Sequence, residues 1–159
     1  MATATDTTAA ARWVDEFAAG WRDPADPDSF ADHFDRIIAD DIRLIQPQLP
    51  TTVGRRAFRE AFVRPLFELI PDLHARVDNW SSSGNVIFIE ITLEGTLGGR
   101  PVTWGAVDRL ILHDGVAIER RSYLDPLPLL AAVATRPRAW PRFARLQLDQ
   151  LRKRVKGNQ

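Results

Sequence analysis

The chain has 159 residues, with 21 basic and 21 acidic side chains and therefore no formal net charge; this length suits one domain with one hydrophobic core. It contains no cysteine, which excludes disulfides, thiolate nucleophiles and zinc–thiolate sites and is compatible with a reducing compartment. No apolar run approaches the roughly 18 residues of a membrane span, and the first residues lack the pattern of a secretion signal. The sequence therefore predicts a cytoplasmic protein.

The charge is unevenly distributed along the chain. Residues 136–159 carry eight Lys or Arg side chains against the single Asp149, a net charge of +7, which leaves −7 on the remainder. Such asymmetry indicates either an anionic partner or attraction between the two parts of the protein. We expect a folded domain over residues 1–135 and a basic helical extension over residues 136–159.

Three helices are predicted in the N-terminal half. In the first, Trp13, Phe17 and Trp21 recur at every fourth position and form one apolar face. In the third, Pro65 is expected to produce a kink. The predicted helices, which share apolar residues at spacings of three and four, span about residues 8–23, 27–38 and 54–70.

The rest of the domain is rich in branched and aromatic residues, which favour strands. The predicted strands are residues 42–46, 73–80, 86–97, 101–112 and 116–124. Glycine-containing turns at residues 81–85, 98–99 and 113–115 predict hairpins, and hairpins make neighbouring strands antiparallel. Helices followed by a long antiparallel meander indicate an α+β domain. Because long strands bend, we expect a curved sheet that the N-terminal helices wrap into a cone around an apolar pocket.

Four short motifs accompany this order of elements: Gly54-Arg55-Arg56, Gly98-Gly99-Arg100-Pro101, Val107-Asp108-Arg109 and Ser122-Tyr123-Leu124-Asp125. With them the chain resembles the nuclear-transport-factor-2-like superfamily, and within it the SnoaL-like polyketide cyclases, over about residues 8–133. The resemblance implies a cystatin-like α+β barrel. Ketosteroid isomerases, limonene-epoxide hydrolases, polyketide cyclases, dehydratases and non-catalytic proteins share that superfamily, so fold alone does not decide function.

Asp108 is the first candidate for chemistry. Period two places it on one strand face with Trp104 and Leu110, among large apolar side chains. A carboxyl group that loses hydration there suits general acid/base work, or donates a hydrogen bond as a neutral acid. By resemblance, Asp108 matches the oxyanion-stabilising acid of ketosteroid isomerases and one catalytic carboxylate of limonene-epoxide hydrolases. The alternative is an outward carboxylate paired with Arg109 or Arg120.

Three other positions lack the groups that the mechanisms of these relatives use. Gln46 stands where a ketosteroid isomerase carries its general-base aspartate; an amide cannot take that proton but can orient a carbonyl or water, or simply face solvent. The arginine and second aspartate of a limonene-type epoxide hydrolase fall at Ala106 and Ser122. Two of its three groups are therefore missing, unless Glu90 and Arg120 replace them from neighbouring strands.

Glu90 interrupts the apolar run of residues 86–91, where a sheet buried on both faces favours no charge. It could reach Asp108 or Arg120 across adjacent strands and form a carboxylate pair. The alternative is a solvated outer face. The predicted catalytic residues are Asp108, Glu90 and Arg120.

The residues predicted to bind substrate, which combine aromatic surface with hydrogen-bonding groups, are Gln46, Trp104, Ser122, Phe62 and Trp80. Each aromatic residue has the alternative of being ordinary core. No metal or cofactor is predicted, because the histidines are not spaced with carboxylates as ligands and no nucleotide-binding glycine loop occurs.

The basic segment at the end of the chain has several conceivable partners. It could lie on an acidic membrane surface, bind nucleic acid, or pack on the acidic body of its own or a second subunit. Packing within a homodimer is favoured, since superfamily members that this chain resembles often dimerise through the sheet. Nucleic-acid binding is not expected from a neutral chain without a matching motif.

The leading hypothesis is a cofactor-free acid/base enzyme of cyclase or isomerase type that acts on an apolar carbonyl or polycyclic compound, with Asp108 transferring the proton. The competing hypothesis is a non-catalytic protein that binds a small hydrophobic ligand in the same pocket. A third possibility is an interaction module that acts through the basic tail, in which case side chains would fill the pocket.

Overall fold

The computed structural model describes residues 4–47, 50–141, 143–145 and 148. Its helices are α1 (Ala4–Arg22), α2 (Pro27–Phe34), α3 (Arg55–Ala57), a π-helical segment (Phe58–Val63), α4 (Arg64–Leu69), α5 (Leu127–Ala134) and a 3₁₀ turn (Pro137–Ala139). Its strands are β1 (Ile38–Ile45), β2 (Thr52–Val53), β3 (His74–Ser83), β4 (Val86–Leu97), β5 (Arg100–His113) and β6 (Val116–Leu124).

The strands form one curved, unclosed sheet in the order β2-β1-β6-β5-β4-β3. Strands β3 to β6 make the predicted antiparallel meander, whereas β1 joins β6 in parallel. At the tip of the β5–β6 hairpin, Asp114 and Gly115 both have positive φ, 49° and 81°. Two such residues build the hairpin turn whose twist matches that of the strands. The α+β prediction is confirmed, with a mixed rather than purely antiparallel sheet.

The core lies between the helices and one face of the sheet, which we call the inner face. On β4, Ile87, Ile89 and Ile91 are buried while the residues between them are half-buried or exposed, as expected for a strand covered on one side. The apolar face of α1 belongs to the same cluster, and Trp13 Nε1 donates a hydrogen bond of 2.9 Å to the Ile37 carbonyl. The helices therefore cover the inner face, and alternate residues of each strand point toward them.

Two of the differences from the sequence prediction have a clear local cause. The second helix ends at Phe34, and Ile38 starts β1, where it pairs with Ala117; an apolar residue four positions after Phe34 fits a helix and a strand equally well. The third helix contains the π-helical segment just before Pro65. Pro65 has no N–H to donate to the carbonyl of Ala61. The helix widens there into π-helical turns, where the sequence predicted only a kink.

No helix within the described residues is long and apolar enough to cross a membrane.

Candidate functional site

A row of inner-face residues crosses four strands and brings together three of the predicted site residues. In register, Trp80 of β3 lies opposite Ile89 of β4, Ile89 opposite Asp108 of β5, and Asp108 opposite Ser122 of β6. Residues directly opposite each other on neighbouring strands have their side chains on the same face, so all four side chains lie on one face of the sheet. The sheet register therefore gathers residues that are far apart in sequence.

Asp108 is fully buried, at 0 % exposure, and it is paired. Arg120 Nε donates to its Oδ2 at 2.7 Å, and Arg120 Nη2 lies 2.7 Å from the same oxygen. Ser122 Oγ donates to Oδ1 at 2.6 Å. Burying a charge is costly unless it is paired and hydrogen-bonded, and both requirements are met. Asp108 thus faces inward, as the pocket interpretation predicted. It is also paired with Arg120, which was predicted only for an outward-facing carboxylate.

This hydrogen-bond set has a chemical consequence. Both oxygens of Asp108 accept hydrogen bonds from the protein, which suits an ionised carboxylate and not a neutral acid that donates. The expectation that Asp108 acts as a protonated donor does not fit this geometry. What the arrangement offers is a carboxylate acceptor joined to a cation.

Arg120 is held from two sides. Its side chain is 12 % exposed, and its Cζ lies 5.0 Å from the ring centroid of Phe62, within the range of a cation–π contact. Phe62 lies on the π-helical segment and stacks on Phe58 at a centroid distance of 5.5 Å. The contact between Phe62 and Arg120 was not anticipated from sequence, because it joins a helix to a strand 58 positions later.

A β-bulge decides which face Ile118 occupies. The register between β5 and β6 shifts after the Ile111–Glu119 pair, so that Leu112 pairs with Ala117. Ile118 is consequently 37 % exposed, whereas Ala117 is fully buried. Simple alternation predicts Ile118 on the face of Arg120 and Ser122, and this prediction is wrong because the bulge changes the phase of the strand.

Glu90 is not part of the site. It is exposed and pairs in register with Val107, while its neighbour Ile89 lies opposite Asp108. Successive strand residues point to opposite faces, so Glu90 lies on the outer face of the sheet. The prediction that Glu90 reaches Asp108 or Arg120 is therefore wrong, and the solvated alternative is the observed one.

The other predicted residues are spread along the inner face. Trp104 is buried opposite Leu93, about 13 Å along β5 from Asp108 at the usual rise per residue. Trp80 is only partly buried. Gln46 is half-buried and directly follows Ile45, which pairs with Arg121; the parallel register leads Gln46 toward Ser122.

Two grooves lined by described residues lie away from Asp108. One of about 490 Å³ is bounded by Asp72, the β4–β5 turn and Arg138. The other, of about 410 Å³, lies on the outer face beside Glu90 and Tyr123. Within the described part of the chain, no group of three or more His, Cys, Asp or Glu side chains is arranged to hold a metal ion.

The family profile of the SnoaL-like domain matches residues 10–120. The chain belongs to this family. The match includes β3, β4, β5 and the start of β6, and it ends at Arg120. No curated protein sequence matches the chain.

Solved structures of several other proteins share its fold. A candidate SnoaL-like polyketide cyclase from Jannaschia sp. CCS1 is 23 % identical, with a TM-score of 0.71 over 86 % of this chain and 99 % of that one. An LEH-like epoxide hydrolase of M. tuberculosis is 17 % identical, with a TM-score of 0.63 over 81 % and 92 % of the two chains. TerC, co-crystallised with polyporic acid, is 17 % identical, with a TM-score of 0.68 over 79 % and 98 %. At these identities the likeness establishes the fold, and different activities occur on it.

Proposed function

We propose that this SnoaL-like protein binds a small, largely apolar molecule against the inner face of its sheet and converts it by cofactor-free acid/base chemistry. The observation that carries the proposal is the fully buried Asp108, held by Arg120 and Ser122 amid an apolar face. The substrate class is an apolar carbonyl or polycyclic compound, and the reaction is of cyclase or isomerase type. Asp108 accepts the proton, while Arg120 stabilises negative charge that develops on oxygen.

A buried ion pair is a weak contributor to stability, because desolvation offsets most of the attraction between its members. Replacement of the Asp108–Arg120 pair by apolar side chains would cost the fold little, so its presence favours a functional role. Gln46, Phe62, Trp80 and Ser122 are proposed to orient the ligand. Trp104 is proposed to line the far end of the proposed pocket.

A second candidate function is binding without conversion. It is favoured by one observation: Arg120 occupies both lone pairs of Asp108 Oδ2 and Ser122 occupies one of Oδ1, so only one lone pair of the carboxylate is left to take a proton from a ligand. In this interpretation the same cavity sequesters a hydrophobic ligand. TerC, a structural neighbour, was crystallised with polyporic acid, which supports small-molecule binding under either candidate.

The remaining proposals concern assembly and location. We keep the homodimer as a proposal, supported by the outer-face groove beside Glu90 and Tyr123. The division into a domain over residues 1–135 and a basic extension over residues 136–159 is supported by the family match within the first range. Most of the second range lies outside the described residues, so membrane-surface contact of the basic tail and a cytoplasmic location remain proposals based on composition.

Proton transfer can be tested without knowledge of the natural substrate. The full-length protein is incubated with 2-tetralone in D₂O, and deuterium incorporation beside the carbonyl is followed by NMR. We expect the wild type to accelerate exchange, and Asp108→Asn to lower the protein-dependent rate by at least about 10²-fold, the usual contribution of a general base. The affinity for 2-tetralone, measured by calorimetry, should change by less than about threefold.

The matched control is Asp41→Asn, the same chemical change at an exposed position on β1, which should leave exchange and binding unchanged. Binding of 2-tetralone with no acceleration of exchange by the wild type would contradict the enzyme and support the binding protein. No binding at all would contradict both.

A further inference from the structure

We infer that Arg120 is an anion-binding group, so that the ligand of this site is an apolar molecule that carries an ionised oxygen such as a carboxylate, phenolate or enolate. The inference rests on the proposed function, because it names the class of molecule that enters the same cavity. It holds for the enzyme and for the binding protein alike.

The first argument is the number of unused donors on Arg120. A guanidinium has five N–H groups in a fixed planar fork. Arg120 directs Nε and one N–H of Nη2 to a single oxygen, Asp108 Oδ2. Within residues 4–47, 50–141, 143–145 and 148, no second acceptor is bonded to this guanidinium. Three N–H groups, two of them on Nη1, are therefore available for a ligand.

Other arginines of the protein are satisfied differently. Arg59 is paired with Asp28, Asp32 and Asp35. Arg136 donates to three main-chain carbonyls of the β4–β5 turn region. Each of these guanidinium groups is engaged by several acceptors, as expected for a structural role. Arg120 is more deeply buried than Arg59 and has one partner residue, which is an incomplete arrangement for a desolvated cation.

The second argument is position. Asp108 fixes the guanidinium from one edge, and the Phe62 ring contacts it, so little conformational entropy remains to be lost on binding. The Arg120 side chain stays 12 % exposed, and Phe62, whose ring contacts its guanidinium, is itself only partly buried. An oriented cation beside aromatic surface matches a molecule with an apolar body and an anionic oxygen.

The experiment compares two probes of nearly equal shape, one of which is an anion and the other neutral. Binding of 2-naphthoate and of its neutral counterpart naphthalen-2-ylmethanol to the full-length protein is measured by calorimetry at neutral pH. We expect the wild type to bind the anion at least about tenfold more tightly, a ratio that corresponds to about 1.4 kcal/mol. In Arg120→Lys, which keeps a charge for Asp108 but loses the fork, the preference should fall to about twofold or less.

Two further variants distinguish a loss of anion binding from a loss of folded protein. Arg121→Lys makes the same change at the next residue, which is exposed, and should leave the preference unchanged. Asp108→Asn removes the negative charge beside Arg120 and should increase the preference for the anion. Opposite shifts in Arg120→Lys and Asp108→Asn cannot arise from a common loss of folded protein.

Equal affinity of the wild type for both probes would overturn the inference and leave the proposed pocket intact. An unchanged preference in Arg120→Lys would overturn it as well. Failure of both probes to bind would overturn the inference together with the pocket. An Arg120-dependent preference without any proton exchange on 2-tetralone would support the inference while contradicting catalysis.

Discussion

The two faces of the sheet use the same charged residue types in different ways. On the outer face, Arg109 bonds Glu119 at 3.1 Å, and both side chains keep more contact with water than the inner pair does. On the inner face, Asp108 and Arg120 are 2.7 Å apart, and Asp108 has no exposure. The difference teaches that the loss of one member of an ion pair costs little stability on the exposed face of a strand and much on the buried face, where it leaves a charge without a counter-ion.

The sharpest way to test this contrast is to remove one arginine from each face. Arg120→Met leaves the Asp108 charge buried without a cationic partner, and we expect it to lower the free energy of unfolding by about 3–5 kcal/mol. Arg109→Met on the outer face should lower it by about 1 kcal/mol or less. Urea unfolding of the two variants measures both values. Equal losses would show that the inner face is more hydrated than its burial indicates.

A double variant sharpens the same comparison. Asp108→Leu combined with Arg120→Met removes both charges and replaces them by apolar side chains. We expect its free energy of unfolding to exceed that of Arg120→Met alone, because no uncompensated buried charge remains. A double variant that is less stable than Arg120→Met would contradict this explanation.

Two strand glycines differ in how tightly the protein packs around them. A Cβ added at Gly95 would lie 2.3 Å from Ile70 Cγ2 in the core, whereas one added at Gly105 would come no nearer than 4.0 Å to the Ile91 carbonyl oxygen. Gly95→Ala should therefore cost about 1–3 kcal/mol through overpacking. Gly105→Ala should be neutral or stabilising by up to roughly 1 kcal/mol, since glycine is unfavourable within a strand. Thermal and urea unfolding of both variants distinguish these outcomes.

The smallest expected effect concerns the carboxylate of Asp72, which lies just before β3. Burial acts to raise the pKa of Asp72, but hydrogen bonds from the side chain and main chain of Thr96 outweigh it and hold the pKa below its ordinary value of 3.8. A group with a lowered folded-state pKa stabilises the fold above its unfolded-state pKa, and this contribution is lost as the pH falls through the folded-state pKa.

Asp72→Asn should accordingly be less stable than the wild type at about pH 6, and the difference should shrink when unfolding is measured at about pH 2.5. Asp41→Asn, at an exposed strand position, is the control without such a trend. A difference between wild type and Asp72→Asn that stays constant over this pH range would contradict the role of the Thr96 hydrogen bonds.

Much of the fold was predictable because local patterns carry it. The four meander strands were located within a few residues, since branched residues and glycine turns mark strands and hairpins directly. The inward direction of Asp108 followed from period two. The parallel pairing of β1 with β6 was not predictable, because it joins segments about 75 positions apart, and no local signal records such a pairing.

The candidate site was also predictable only in part. By itself the sequence determined that Asp108 lies on an apolar strand face, and that cysteine chemistry is absent. Only the tertiary structure decided the rest: the register excludes Glu90 from the inner face, the bulge turns Ile118 outward, and the π-helical segment brings Phe62 over Arg120. The physical reason is that alternation fixes a side chain's direction within one strand, whereas pairing register and helix packing fix its partners.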